Sequence, residues 1–140
     1  MAVRLANNVA IAACDAVVAL FDAGAGPGYY EIRTGAQPAG PDSAATGTLL
    51  VTITMSDPAY GSATDANPGG VSAINGTPSG VAVAAGTAGW FRSYDSNDNP
   101  VYDGLCSGTG GGASMELDNT TIEIGQTATI TSSTITMPEA

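Results

Sequence analysis

From Tyr29 onward the apolar residues of this chain recur at every second position in short runs separated by glycine and proline. That period constrains the fold more than any other feature, because only a strand sends successive side chains to opposite faces. About eight strands are expected: Tyr29 to Thr34, Thr48 to Met55, Val71 to Asn75, Val81 to Ala84, Thr87 to Tyr94, Pro100 to Cys106, Ala113 to Leu117 and Thr127 to Met137. In the second, Leu49, Val51, Ile53 and Met55 point one way and Thr52 and Thr54 the other, as in a sheet with one dry and one wet face. The last strand carries Ile130 and Ile135 among Thr and Ser. Its phase changes between them, so either a bulge around Ser132 and Ser133 or two packing partners is expected. Many short strands with Gly/Pro turns indicate a mainly β fold, an antiparallel sandwich or barrel.

Before Gly28 the period is 3.6. Leu5, Val9, Ala12, Ala13, Ala16, Val17 and Leu20 share the spacing of one helical face, which predicts a helix from Leu5 to Phe21. Asn7 or Asn8 is the expected N-cap, and Gly24 the left-handed C-terminal stop. Asp22 opposes the helix dipole, and the many alanines make a slim helix that needs a larger body to dock on. Gly35 to Gly47, Ser56 to Gly70 and Gly108 to Gly112 read as loops within one domain. Residues 1–140 therefore form a single unit, with the helix in 1–24 and the β-sandwich in 29–137.

Charge narrows the function. Thirteen acidic residues face only Arg4, Arg33 and Arg92, with no lysine and no histidine, for a net charge of −10. A phosphate backbone repels such a chain, so nucleic-acid binding is not expected. The missing histidine removes the usual neutral-pH base and zinc ligand, and with them most hydrolase chemistry. Asn7, Asn8, Asp15 and Asp22 interrupt the apolar N-terminal stretch, so neither a signal peptide nor a membrane span is expected, and the chain reads as soluble. Cys14 and Cys106 read as small buried hydrophobes, with one long-range disulfide as the alternative.

The recognisable motifs favour structure over chemistry. Asp95 to Pro100 has oxygen ligands spaced as in the start of a calcium loop, but lacks the distal bidentate acid and the turn glycine; a hairpin turn is expected. Gly108 to Gly112 lacks the Lys-Ser/Thr of a phosphate cradle. Glu116 and Asp118 lie on one face of a strand, without the aromatic platform of a sugar site. Asn75-Gly-Thr77 and Asn119-Thr-Thr121 match glycosylation sequons by chance. No metal, cofactor or catalytic residue is expected. Trp90-Phe91, with Tyr94 and Tyr102 across the same hairpin, gathers four of the eight aromatics; one of Trp90 and Phe91 anchors the core and the other faces outward, half exposed or as a partner anchor.

Four blocks then carry a resemblance: Asp22 to Arg33 (DAGAGPGYYEIR), Gly47 to Gly61 (GTLLVTITMSDPAYG), Gly86 to Arg92 (GTAGWFR) with Val101 to Gly104 (VYDG), and Thr131 to Pro138 (TSSTITMP). Together they resemble the head cement, or decoration, proteins encoded in tailed-phage and prophage head modules. The likeness spans nearly the whole chain, although Ser96-Asn97-Asp98-Asn99 stands where that family tends to have Asp-Gly after the equivalent of Asp95. The resemblance implies a jelly-roll sandwich on the outside of an icosahedral head, made in the bacterial host cytoplasm. It also implies a homodimer that clamps neighbouring major capsid proteins by added strands and by charge.

The residues fit such a role on their own terms. Thr-rich strands without lysine gatekeepers can pair their open edges with another chain. The candidate partner-binding residues are Thr48, Leu50, Thr52 and Thr54 on one expected edge, Thr127, Thr129 and Thr131 on the other, and Trp90. A tail-tube or head-tail adaptor subunit is the alternative. A carbohydrate-binding module would need exposed aromatics beyond Trp90 and Tyr60.

Overall fold

The computed structural model describes residues 3–139. Helix α1 (Asn7–Ala19) continues as a 3-10 turn, Leu20–Asp22, and ten strands follow: β1 (Tyr29–Thr34), β2 (Leu49–Thr54), β3 (Thr64–Asp65), β4 (Gly70–Ala73), β5 (Ser79–Val81), β6 (Gly86–Tyr94), β7 (Pro100–Gly108), β8 (Met115–Leu117), β9 (Thr121–Ile122) and β10 (Thr127–Met137). The architecture is mainly β with one N-terminal helix, as the change of period at Gly28 indicates. The hydrogen-bonded order is β2-β1-β6-β7-β8-β10-β4-β3, with β5 beside β10 and β9 beside β6. Among the described residues only β7 and β8 run parallel. The segment that begins with β5 also lies against the outer side of β2, where the Val83 N–H donates to the Leu50 carbonyl at 2.8 Å. The sheet thus curls until its first strand meets, through β5, the strand β10 near its other end, consistent with a β sandwich.

The helix docks by a different face from the one its spacing suggests. Ala10, Cys14 and Val18 are buried, whereas Val9 and Leu20 are 46% and 55% exposed. In so alanine-rich a helix the small residues are the ones that permit close approach. A Cβ on Gly70 of β4 would lie 2.7 Å from the Ile11 Cα, so the helix backbone rests directly on that glycine. The expected asparagine cap is also absent: Ala6 is the N-cap and makes no side-chain bond, and Asn7 Oδ1 accepts from the Gly69 N–H. The two helix acids have structural uses. Asp22 Oδ1 accepts from the Ala59 N–H at 2.9 Å and Asp15 Oδ1 from the Ala63 N–H at 2.6 Å, fastening the loop before β3 to the helix. Gly24 takes the expected positive φ, one residue beyond the 3-10 turn and its cap.

Inside the curl, Phe21, Tyr30, Tyr60, Phe91 and Tyr102 pack among aliphatic residues, with edge-on contacts of Phe21 and Phe91 to Tyr102 at 5.2 and 5.4 Å. Burying tyrosine requires partners for its hydroxyl. Here the three hydroxyls satisfy one another: Tyr30 Oη lies 2.8 Å from Tyr102 Oη and is also bonded to Tyr60 Oη, which lies 2.8 Å from Ser133 Oγ of β10. Burial, with the neighbouring tyrosines adding to it, pushes the Tyr30 and Tyr102 phenols well above their ordinary value.

Candidate functional site

On β2 the alternation holds at one end only. Val51, Ile53 and Met55 are buried and Thr52 and Thr54 exposed, as expected, and Thr48 just before the strand is exposed too. Leu50 departs from the expectation of an outward, partner-facing residue, for it is wholly buried. Ile32 pairs with Val51 and Arg33 with Leu49, which leaves Leu50 as the extra residue of a bulge, and a bulge re-aims its side chain. The expected open edge is covered as well. The Leu50 carbonyl takes the Val83 N–H, and Gly80 lies so close to the Thr52 carbonyl oxygen that a Cβ there would collide with it.

The other expected edge is interior. β10 is flanked on one side by β5 and β4 and on the other by β8. Its register slips between Ile130 and Ser132, so the strand is bulged at Thr131, just before the expected Ser132 and Ser133, and is shared between partners as well. Thr127 and Thr131 remain exposed and Thr129 is half-buried. Two of these threonines are tied inward: the Thr129 N–H donates to Asp118 Oδ1 at 3.0 Å, and Thr131 Oγ1 donates to the Glu116 carbonyl at 3.2 Å.

Trp90 and Phe91 do point to opposite faces of β6, Phe91 into the core beside Ile32 and Gly104. Trp90, expected to be half exposed or a partner anchor if it faced outward, is wholly buried nonetheless. The reason is the loop from Gly35 to Gly47, which is strapped over this face. Arg92, two residues along β6, donates through Nη1 to the Ser43 carbonyl at 2.8 Å and through Nη2 to the Gly40 carbonyl at 3.1 Å. The same guanidinium is held by Asp103 of β7 through two bonds of 2.7 and 2.9 Å, and sits 5.4 Å from the Trp90 ring. Hydrogen bonding to Asp103 raises the Arg92 pKa further, against the opposing effect of burial. The other end of the strap is tied by Arg33, which bonds the Gly47 carbonyl and pairs with Glu31 at 2.9 Å.

The remaining polar motifs also serve the chain itself. One Asp95 oxygen accepts from the Asn97 and Asn99 N–H groups and the other from Asn99 Nδ2, while Asp98 takes a positive φ, which makes the segment the expected hairpin turn. The Asn99 amide and these N–H bonds hold the Asp95 carboxyl below its usual range despite burial. Glu116 Oε2 accepts from the Gly110 N–H, closing the glycine loop. Both cysteines are free, Cys14 on the buried face of the helix and Cys106 half-buried in β7, where burial pushes the thiol up to about 12.

One surface feature escapes the alternation pattern. Val81, Val83 and Ile124 are 61%, 66% and 72% exposed, while the smaller Ala82 between the valines is buried. The sequence signal was the pairing of larger outward with smaller inward residues, which period alone cannot orient. No protein-family model, no curated protein and no solved structure matches the chain.

Proposed function

We propose that this chain is a structural virion protein, a head cement of a tailed phage, which binds the outer surface of the capsid and bridges neighbouring major capsid proteins without covalent chemistry. The observation that carries the reading is the disposition of its polar side chains. Asp15, Asp22, Asp95, Asp103, Glu116 and Asp118 each hold an N–H group or a guanidinium of the chain itself, so its motif carboxylates brace a rigid body. The four-block resemblance adds to this, and so does the charge of −10, which suits a partner with a basic outer face. The pairing of β10 on both sides and the cover over β2 favour docking through side-chain faces over strand addition at those two edges. Repeated over a closed shell, weak contacts on two faces of a dimer add up to firm retention.

The test is made on heads purified from the phage that carries this gene. The proposal expects the chain at a fixed ratio to the major capsid protein, absent from isolated tails, and expects stripped heads to release DNA at a lower temperature until the protein is added back. A chain that fractionates with tails or connectors refutes it.

A further inference from the structure

The exposed ridge of Val81, Val83 and Ile124 has the marks of a built docking surface. Elsewhere in the sheet the β-branched aliphatic residues Ile32, Val51, Ile53, Ile122 and Ile130 are wholly buried and Val71, Val101 and Ile135 half-buried, so the two valines stand out by their exposure. Ile124 is still less expected. It occupies the second position of a β-turn closed by the Gln126 N–H donating to the Glu123 carbonyl at 3.1 Å, with Gly125 at positive φ, a place where the fold needs no aliphatic side chain. The turn is held against the valine segment by two bonds: the Gly125 N–H to the Ala82 carbonyl at 2.9 Å and the Ala82 N–H to the Gln126 carbonyl at 2.8 Å. Such a ridge is ordered before it binds, which spares much of the entropy cost of association.

Charge selects the occupant. Glu123 flanks Ile124, and Asp118 lies across β10 from β5; both are exposed. Among the described residues neither carboxylate is in an ion pair, the two ion pairs being Arg33 with Glu31 and Arg92 with Asp103. A second copy meeting this ridge about a twofold axis would bring the same acidic rim to both sides of the contact, with no basic group to answer it. We infer that the ridge docks a face of the capsid protein on which branched aliphatic side chains are flanked by lysine or arginine. This rests on the cement reading and locates its contact.

The experiment titrates stripped heads with wild-type protein, with Val81→Thr/Val83→Thr/Ile124→Thr, and with Glu123→Lys. Threonine keeps the branched shape and every backbone bond, so the triple variant should melt as the wild type does yet bind about tenfold or more weakly. Glu123→Lys should also bind more weakly and lose part of the salt dependence. If the triple variant melts early, Ile124→Thr alone decides, with an expected loss of about threefold. Wild-type affinity in the folded aliphatic variants overturns the inference while leaving the cement reading intact. A wild-type dimer that these variants dissolve also overturns it, by making a second copy the occupant. Failure of the wild-type protein to bind heads at all overturns both.

Discussion

Replacing Asp103 by alanine should cost this protein a large part of its stability, because it strands a buried guanidinium. Arg92 and Asp103 retain 4% and 1% of their side-chain exposure, so little solvent is at hand to take over from the lost carboxylate. Arg92 would keep its bonds to the Ser43 and Gly40 carbonyls and its place over the Trp90 ring, but no group of opposite charge. Breaking one side of a buried pair costs about 3–5 kcal/mol, against a total stability of about 5–15 kcal/mol for a typical domain. At roughly 3 °C per kcal/mol for a chain of this length, the melting temperature should fall by about 10–15 °C. Urea unfolding followed by fluorescence is the assay, since Trp90 is the single tryptophan and lies 5.4 Å from the guanidinium. Replacing both partners, as in Arg92→Met/Asp103→Leu, should cost less than Asp103→Ala alone. A loss below about 1 kcal/mol for Asp103→Ala would mean that water reaches the pair, and would refute the closed strap over Trp90.

Asp95→Asn should reduce acid sensitivity. The folded carboxyl titrates below its unfolded value of about 3.9, so its contribution is complete above that pH and lost as pH falls through the folded pKa. The variant should therefore be less stable at neutral pH and show a shallower stability slope below about pH 4, read from melts across that range. Thr129→Pro removes the N–H bonded to Asp118 in a strand flanked on both sides, and should cost about 3 kcal/mol or more and lower the melting temperature by about 10 °C or more; a variant that melts as the wild type does would show that β10 has an open edge. Cys106 is half-buried and burial pushes its thiol up to about 12, so at pH 8 it should react with a disulfide reagent far more slowly in the native protein than in the urea-unfolded chain. Rapid labelling of the native protein would contradict its burial.

The sequence showed what depends on local period and hid what depends on contact. Alternation located β1, β2, β6, β7 and β10, and Asp95 to Asn99 disclosed their own turn, because a strand face and an Asx turn are written in neighbouring residues. The helix face was misread, since among so many alanines the 5-9-12-16 and 10-14-18 rows are equally plausible by hydropathy, and the sterics of Gly70 choose between them. The burial of Leu50 follows from the register of β1 against β2, and that of Trp90 from a loop some fifty residues earlier; neither is visible from its neighbours. The two-residue strands β3 and β9 have too few positions to display a period. The closing of the β2 edge by the segment after Ser79 is likewise a long-range event, and it moved the candidate contact from strand edges to the ridge beside them.

A cryo-EM map of the intact phage head tests the central claim most directly. The account predicts icosahedrally repeated density of this chain's size on the outer shell surface, seated across the joints between neighbouring capsid subunits, with the segments around Val81 to Val83 and Ile124 facing the shell. Density for this chain confined to the tail or the portal vertex, or an outer shell surface bare of it, would contradict the account.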